Sequence, residues 1–183
     1  MWKLLVPFFV CVATHAYKLI EGTLIERPFV FAPSITVSDK QCITQAIRKF
    51  NNVKTITNIG VDIVDVYPCT DCNVIDYTNP HDSMFAYSVI NGFYGRNSQW
   101  NIFSTDIFVN RHALSVENAC NNLVLHELGH CKGLQHSTWP NSIMNKSVIV
   151  NNGELVAMPE WNLHADDIYA LYLSSKRSEK NLP

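Results

Sequence analysis

Residues 126–136 read His-Glu-Leu-Gly-His-Cys-Lys-Gly-Leu-Gln-His, and this segment constrains the fold more than any other stretch of the chain. Four residues along an α-helix turn through about 400°, so His126 and His130 share one face, one turn apart. Two imidazoles so placed can grip one metal ion at about 2.0–2.1 Å. A third ligand has to come from outside a straight helix. Gly133 supplies the means, because glycine adopts the left-handed conformation that ends helices and turns the chain. His136 can then swing back to the ion.

Three histidines leave a fourth position open for water, the mark of a catalytic zinc site and not of a structural one. Zinc there lowers the pKa of water to about 7 and polarises a carbonyl. Glu127 adjoins the first ligand but lies too far around the helix to share its direction. It is placed instead to take the water's proton as the general base. A bare His-Glu-x-x-His could be a chance cluster on a solvated helix. The added glycine and third histidine, at fixed spacing, argue strongly against that. The expected site is therefore one Zn2+ held by His126, His130 and His136, with Glu127 catalytic.

The 183 residues, 47% hydrophobic and 16% charged, suit one domain with a real core. A formal net charge of −2 gives no electrostatic case for nucleic acid or an anionic membrane. Met1-Trp2-Lys3 is basic, Leu4 to Ala13 is apolar, and Thr14-His15-Ala16 offers small residues for cleavage. Residues 1–16 thus read as a secretory signal peptide, too short to span a bilayer. The expected order is then an N-terminal arm over 17–27, a catalytic domain over 28–176 and a tail over 177–183. The expected product is a secreted monomer acting on extracellular protein or peptide.

Phe29-Val30-Phe31, Val61 to Tyr67, Met84 to Ile90 and Ile102 to Val109 are β-prone, while 68–83 reads as loop. Ser38 and Gln41 form a capping-box pattern before an apolar face of Ile43, Ala46, Ile47 and Phe50. Val116 to Lys132 reads as a helix with Ser115 as N-cap. A last helix begins near Asn162, with Asp166 and Asp167 early, and with Ile168, Leu171 and Tyr172 on its apolar face. Strands cluster early and helices segregate, which implies an α+β fold.

Secretion favours disulfides. Removing Cys11 with the signal peptide leaves Cys42, Cys69, Cys72, Cys120 and Cys131, so one thiol stays free. Cys69 and Cys72 are expected to close a loop. Cys120 and Cys131, on one helix, stand roughly 16 Å apart, beyond the about 7 Å a disulfide allows. Cys42 is the candidate partner for Cys131. Asn145-Lys146-Ser147 is the one N-glycosylation sequon and a candidate for occupancy.

With these residues in view, the chain resembles the metzincin zinc endopeptidases, and most closely the matrixins. The resemblance rests on the 126–136 segment and on His136-Ser137-Thr138-Trp139-Pro140-Asn141-Ser142-Ile143-Met144. It implies that Met144 packs beneath the histidines and that Asn122 lines a substrate pocket. Asp166-Asp167-Ile168 is similar to the matrixin C-terminal helix, whose aspartates tie it to the domain. The implied architecture is a twisted mixed sheet of about five strands with three helices around a zinc cleft, lined by Met84 to Ile90 as an edge strand. The expected form is minimal, without the matrixin propeptide or hemopexin-like domain, and without the segment that binds structural zinc and calcium. A cysteine-switch latency is therefore not expected, although Glu21 or Glu26 on the arm leaves a carboxylate cap open. Two other readings remain: an inactive metzincin-fold binding module, and a site in which Glu154 or Glu160 replaces His136.

Overall fold

In the computed structural model, which describes Leu19 and residues 23–24, 26–79, 84–94, 100–116, 118–145, 150–151, 154–155 and 162–180, the β-prone runs pair into one mixed sheet. Its strands are β1 (Thr23–Leu24), β2 (Phe29–Phe31), β3 (Ile63–Val64), β4 (Asn73–Tyr77), β5 (Ala86–Tyr94) and β6 (Trp100–Val109). The order is β1-β6-β4-β2-β3, all parallel, with β5 antiparallel on β6. Since β5 fills one edge of β6, β1 and β4 share the other: β1 beside Asn101 and Ile102, β4 beside Ile107 to Val109. Five strands thus build the domain's sheet, and the arm contributes the sixth.

Three long helices complete the layer: α1 (Val37–Asn51), α4 (Ala119–Cys131) and α5 (Ala165–Lys180). Single turns α2 (Lys54–Thr57) and α3 (Arg111–Leu114) connect them, and β7 (Val150–Asn151) pairs with β8 (Glu154–Leu155). The expected face of α1 is buried: Ile43, Ala46, Ile47 and Phe50 meet Phe29, Ile75, Ile107, Val124, Leu125 and Leu128 in one core. Each fully buried Ile, Leu, Val or Phe among them contributes about 1.5–3 kcal/mol.

Several boundaries differ from expectation. α1 starts at Val37, not at Ser38, because the Thr36 hydroxyl caps it by accepting from Asp39 N at 3.2 Å. Ser115 does not cap α4. It closes α3, which Asn110 caps through His112 N, and Asn118 enters α4 in the left-handed region at φ 58°. The stretch 68–83 is not all loop: β4 lies within it, held by β2 and β6 across long sequence distances. The Val61 to Tyr67 run shrinks to β3, whereas the last helix starts at Ala165. On α5, Leu171 is buried, Ile168 partly so, and Tyr172 turns outward beneath Lys176.

The cysteines also pair differently. Cys42 bonds Cys120, joining α1 to α4, and Cys131 is the buried free thiol. The two helices pack so that Cys120 approaches Cys42, while Cys131, at the far end of α4, meets the Thr105 carbonyl on β6. Cys69 and Cys72 form the expected loop disulfide.

Candidate metal centre and active site

The expected ligands converge. His126 and His130 project from successive turns of α4, and Gly133, at φ +87°, breaks the helix behind them. Gly133 N donates to His130 O and Leu134 N to Gly129 O, closing the helix with two carbonyls satisfied. His136 then returns, so that the ligand atoms of His126, His130 and His136 lie within 4.8 Å of one another. Among the described residues this is the one such cluster of three. Glu160 lies outside them, and Glu154 is placed by its backbone in β8.

The donor set fits zinc. His126 Nδ1 faces Ile143 O at 2.6 Å, and His130 Nδ1 faces Leu134 O at 2.8 Å. A carbonyl only accepts, so each Nδ1 carries the proton and each Nε2 keeps its lone pair for a metal. His130 Nε2 and His136 Nε2 stand 3.3 Å apart, about the spacing of two tetrahedral ligands at 2.0–2.1 Å. Burial, followed by the neighbouring His130, pushes the His126 pKa from 6.5 to about 4. Burial also lowers His130. Both imidazoles are therefore neutral near pH 7, the form that ligates.

Met144 is fully buried, and its position leaves no room for a side chain at residue 129. A Cβ placed on Gly129 would stand 2.3 Å from Met144 Sδ. Met144 is fixed by its surroundings: Ser142 Oγ accepts from Met144 N at 2.9 Å and donates to Asp167 Oδ1 at 2.8 Å. Asp167 also accepts from Ile143 N and His164 N. The aspartate of α5 thus ties that helix to the turn carrying Ile143, whose carbonyl orients His126. Ser137 N donates to Met144 O, tying the third-ligand loop to the same turn.

Glu127 lies between α4 and the sheet, only 4% exposed. Burial raises its pKa from 4.5 to about 7, opposed by the Ser88 hydroxyl, which donates to its carboxylate. Ser88 sits on β5, the expected edge strand, whose far edge pairs with no strand among the described residues. Asn122 is fully buried, with its N–H on Asn118 O, and offers no surface to a cleft. Asn145, in the sequon, is also buried, its Nδ2 donating to Trp139 O at 2.8 Å.

Sequence reasoning missed Ser88 and Gly129. Gly129 did leave a signal, since glycine inside a helix costs about 1 kcal/mol relative to alanine and usually has a packing reason. Ser88 left none beyond strand alternation, because which residue it meets is set by packing across the fold.

A sheet above a helix that carries two of three converging histidines, then a glycine turn, the third histidine and a buried methionine, defines a metzincin-type zinc metalloprotease domain. The matrixin family model matches residues 76–172, more than half of the chain, and the chain belongs to the matrixin family. Its fold is similar to that of high choriolytic enzyme 1, a hatching-enzyme zinc protease from the medaka fish Oryzias latipes. The TM-score is 0.50 and the identity 14%, with 84% of this chain and 89% of that chain covered. No curated protein matches the sequence. No helix among the described residues is long and apolar enough to cross a membrane.

Proposed function

We propose that the chain is a secreted zinc-dependent endopeptidase that hydrolyses peptide bonds of extracellular proteins, with Glu127 as general base. The observation that carries this reading is the convergence of three ligand nitrogens within 4.8 Å of one another, on the helix that also carries the buried Glu127. His126, His130 and His136 would hold the ion through Nε2. When bound, zinc supplies Lewis acidity, lowering the pKa of water to about 7 and polarising a carbonyl. Glu127, with its pKa near 7, is matched to accept the proton of the attacking water and pass it to the departing amine. The outer edge of β5 would take an extended peptide by backbone hydrogen bonds. Secretion rests on residues 1–16, and a single chain holds all the ligands, so a monomer suffices.

The second reading, an inactive metzincin-fold binding module, is disfavoured because Glu127 and all three histidines are present. Cleavage of mixed peptides and denatured collagen, with and without a chelator, tests the choice. Chelator-sensitive cleavage is expected, with Glu127→Ala slower by ~10²–10⁴-fold and zinc retained. A zinc-loaded wild type that cuts nothing would favour the binding module. Near-normal turnover by the variant would remove Glu127 from the role of base.

A further inference from the structure

Leu19 and Glu26 take no part in the chemistry above, yet they touch the metal-presenting turn on both sides of Gly133. β1 anchors the arm on β6. Upstream of it, Leu19 forms an antiparallel backbone bridge with Leu134 and packs against the main core. Downstream of it, Glu26 Oε1 lies 3.5 Å from Lys132 Nζ. The Lys132 side chain is only 5% exposed, so its ammonium has largely left water and needs a counter-charge. Glu26 supplies one.

Both contacts bear on ligand geometry. Lys132 is the last link between His130 and Gly133, and its carbonyl is held from α5 by Ser174 Oγ at 2.7 Å. Leu134 accepts from His130 Nδ1 and stands two residues before His136. The stretch that sets the distance from His130 to His136 is thus gripped at Lys132 by a side chain of the arm and at Leu134 by its backbone.

We propose that Leu19, β1 and Glu26 act as a strap that positions the third metal ligand, with Glu26 and Lys132 as positioning residues. Ordering the turn in advance reduces what metal binding has to order, and outer-shell partners of this kind commonly set metal affinity. The proposal builds on the three-histidine metal site and inverts the idea of a carboxylate cap. The Glu26 carboxylate is paired with Lys132, and Glu21 lies outside the described residues.

The test compares the full secreted chain with its Glu26→Gln and Glu26→Asp variants. Zinc affinity is read by competition with a chromophoric chelator, alongside the thermal midpoint of each metal-free form. Glu26→Gln should bind zinc about tenfold more weakly and release it faster, with Glu26→Asp intermediate because it keeps the charge. A purely structural role would lower the metal-free midpoint and leave zinc affinity within twofold of wild type, and that result overturns the strap. If Glu26→Gln does not fold, Glu26→Asp decides alone, by weakened affinity or by its absence. A wild type that binds no zinc would instead overturn the metal site itself.

Discussion

The three metal ligands and the groups that support them reach the site by different routes. His126, His130 and His136 are assembled by one helix turn and one glycine, all local in sequence. Their supports come from afar: Ser88 reaches Glu127 across 39 residues, Asp167 reaches Ser142 across 25, and Cys42 reaches Cys120 across 78. Local geometry asks little ordering of the chain, whereas each distant support needs the fold to be in place first. The pair of histidines on α4 is therefore the part of the site least sensitive to the rest of the molecule. Glu127 and the turn that carries His136 are the parts most sensitive to it.

The largest effect is expected where a distant support is covalent. In the loop-entropy account, the Cys42–Cys120 bond adds about 4 kcal/mol, against about 2 kcal/mol for the short Cys69–Cys72 loop. Denaturant unfolding of the Cys42→Ser/Cys120→Ser and Cys69→Ser/Cys72→Ser pairs should show that ordering. Equal losses would break the distinction between local and distant ties.

Next is the cost of burying Glu127. The Glu127 carboxyl ionises near 4.5 when unfolded and near 7 when folded, mainly because of burial. Its contribution to stability is complete below pH 4.5, falls as pH rises through 7, and stays lost above. The gap corresponds to about 3 kcal/mol. Metal-free Glu127→Gln should then be more stable than wild type by about that amount at pH 8, with no gain at pH 4. The His126 shift acts in the opposite sense, weakening the fold as pH drops from 6.5 toward 4, but it does so in both proteins and cancels. Equal stability at pH 8 would mean that the carboxylate is not buried as described.

Ser88→Ala separates Glu127 from the three histidines more finely. Loss of one hydrogen bond to a charged group should lower turnover about tenfold and leave zinc stoichiometry untouched. Loss of zinc along with activity would show that the two routes are not independent. The smallest effect is a null one. With Asn145 buried and its amide committed to Trp139 O, glycosidase treatment should leave the intact mass unchanged. A mass drop would show that this turn opens more readily than its hydrogen bonds suggest.

The same contrast governs what could be read in the sequence. The histidine cluster, the Gly133 break, the buried Met144 and the aspartate tie of α5 were legible from local spacing or from resemblance. The α1 face was legible because apolar residues at helical spacing admit one burial direction. β4 was not, since a five-residue strand flanked by a cysteine pair and Pro80 looks like loop until β2 and β6 supply its partners. The cysteine pairing failed for a related reason. Spacing along one helix excluded Cys120 with Cys131, but only the way α1 packs on α4 brings Cys120 to Cys42. Asn122, read from resemblance as a pocket residue, is fully buried, and position along a helix does not by itself set exposure.

The central claim is that three locally assembled histidines hold one catalytic zinc. Metal analysis of the purified chain, repeated on His136→Ala, tests it most directly. The account predicts one zinc per chain in the wild type and little or none in the variant. No zinc in the wild type, or a full zinc in His136→Ala, would contradict it.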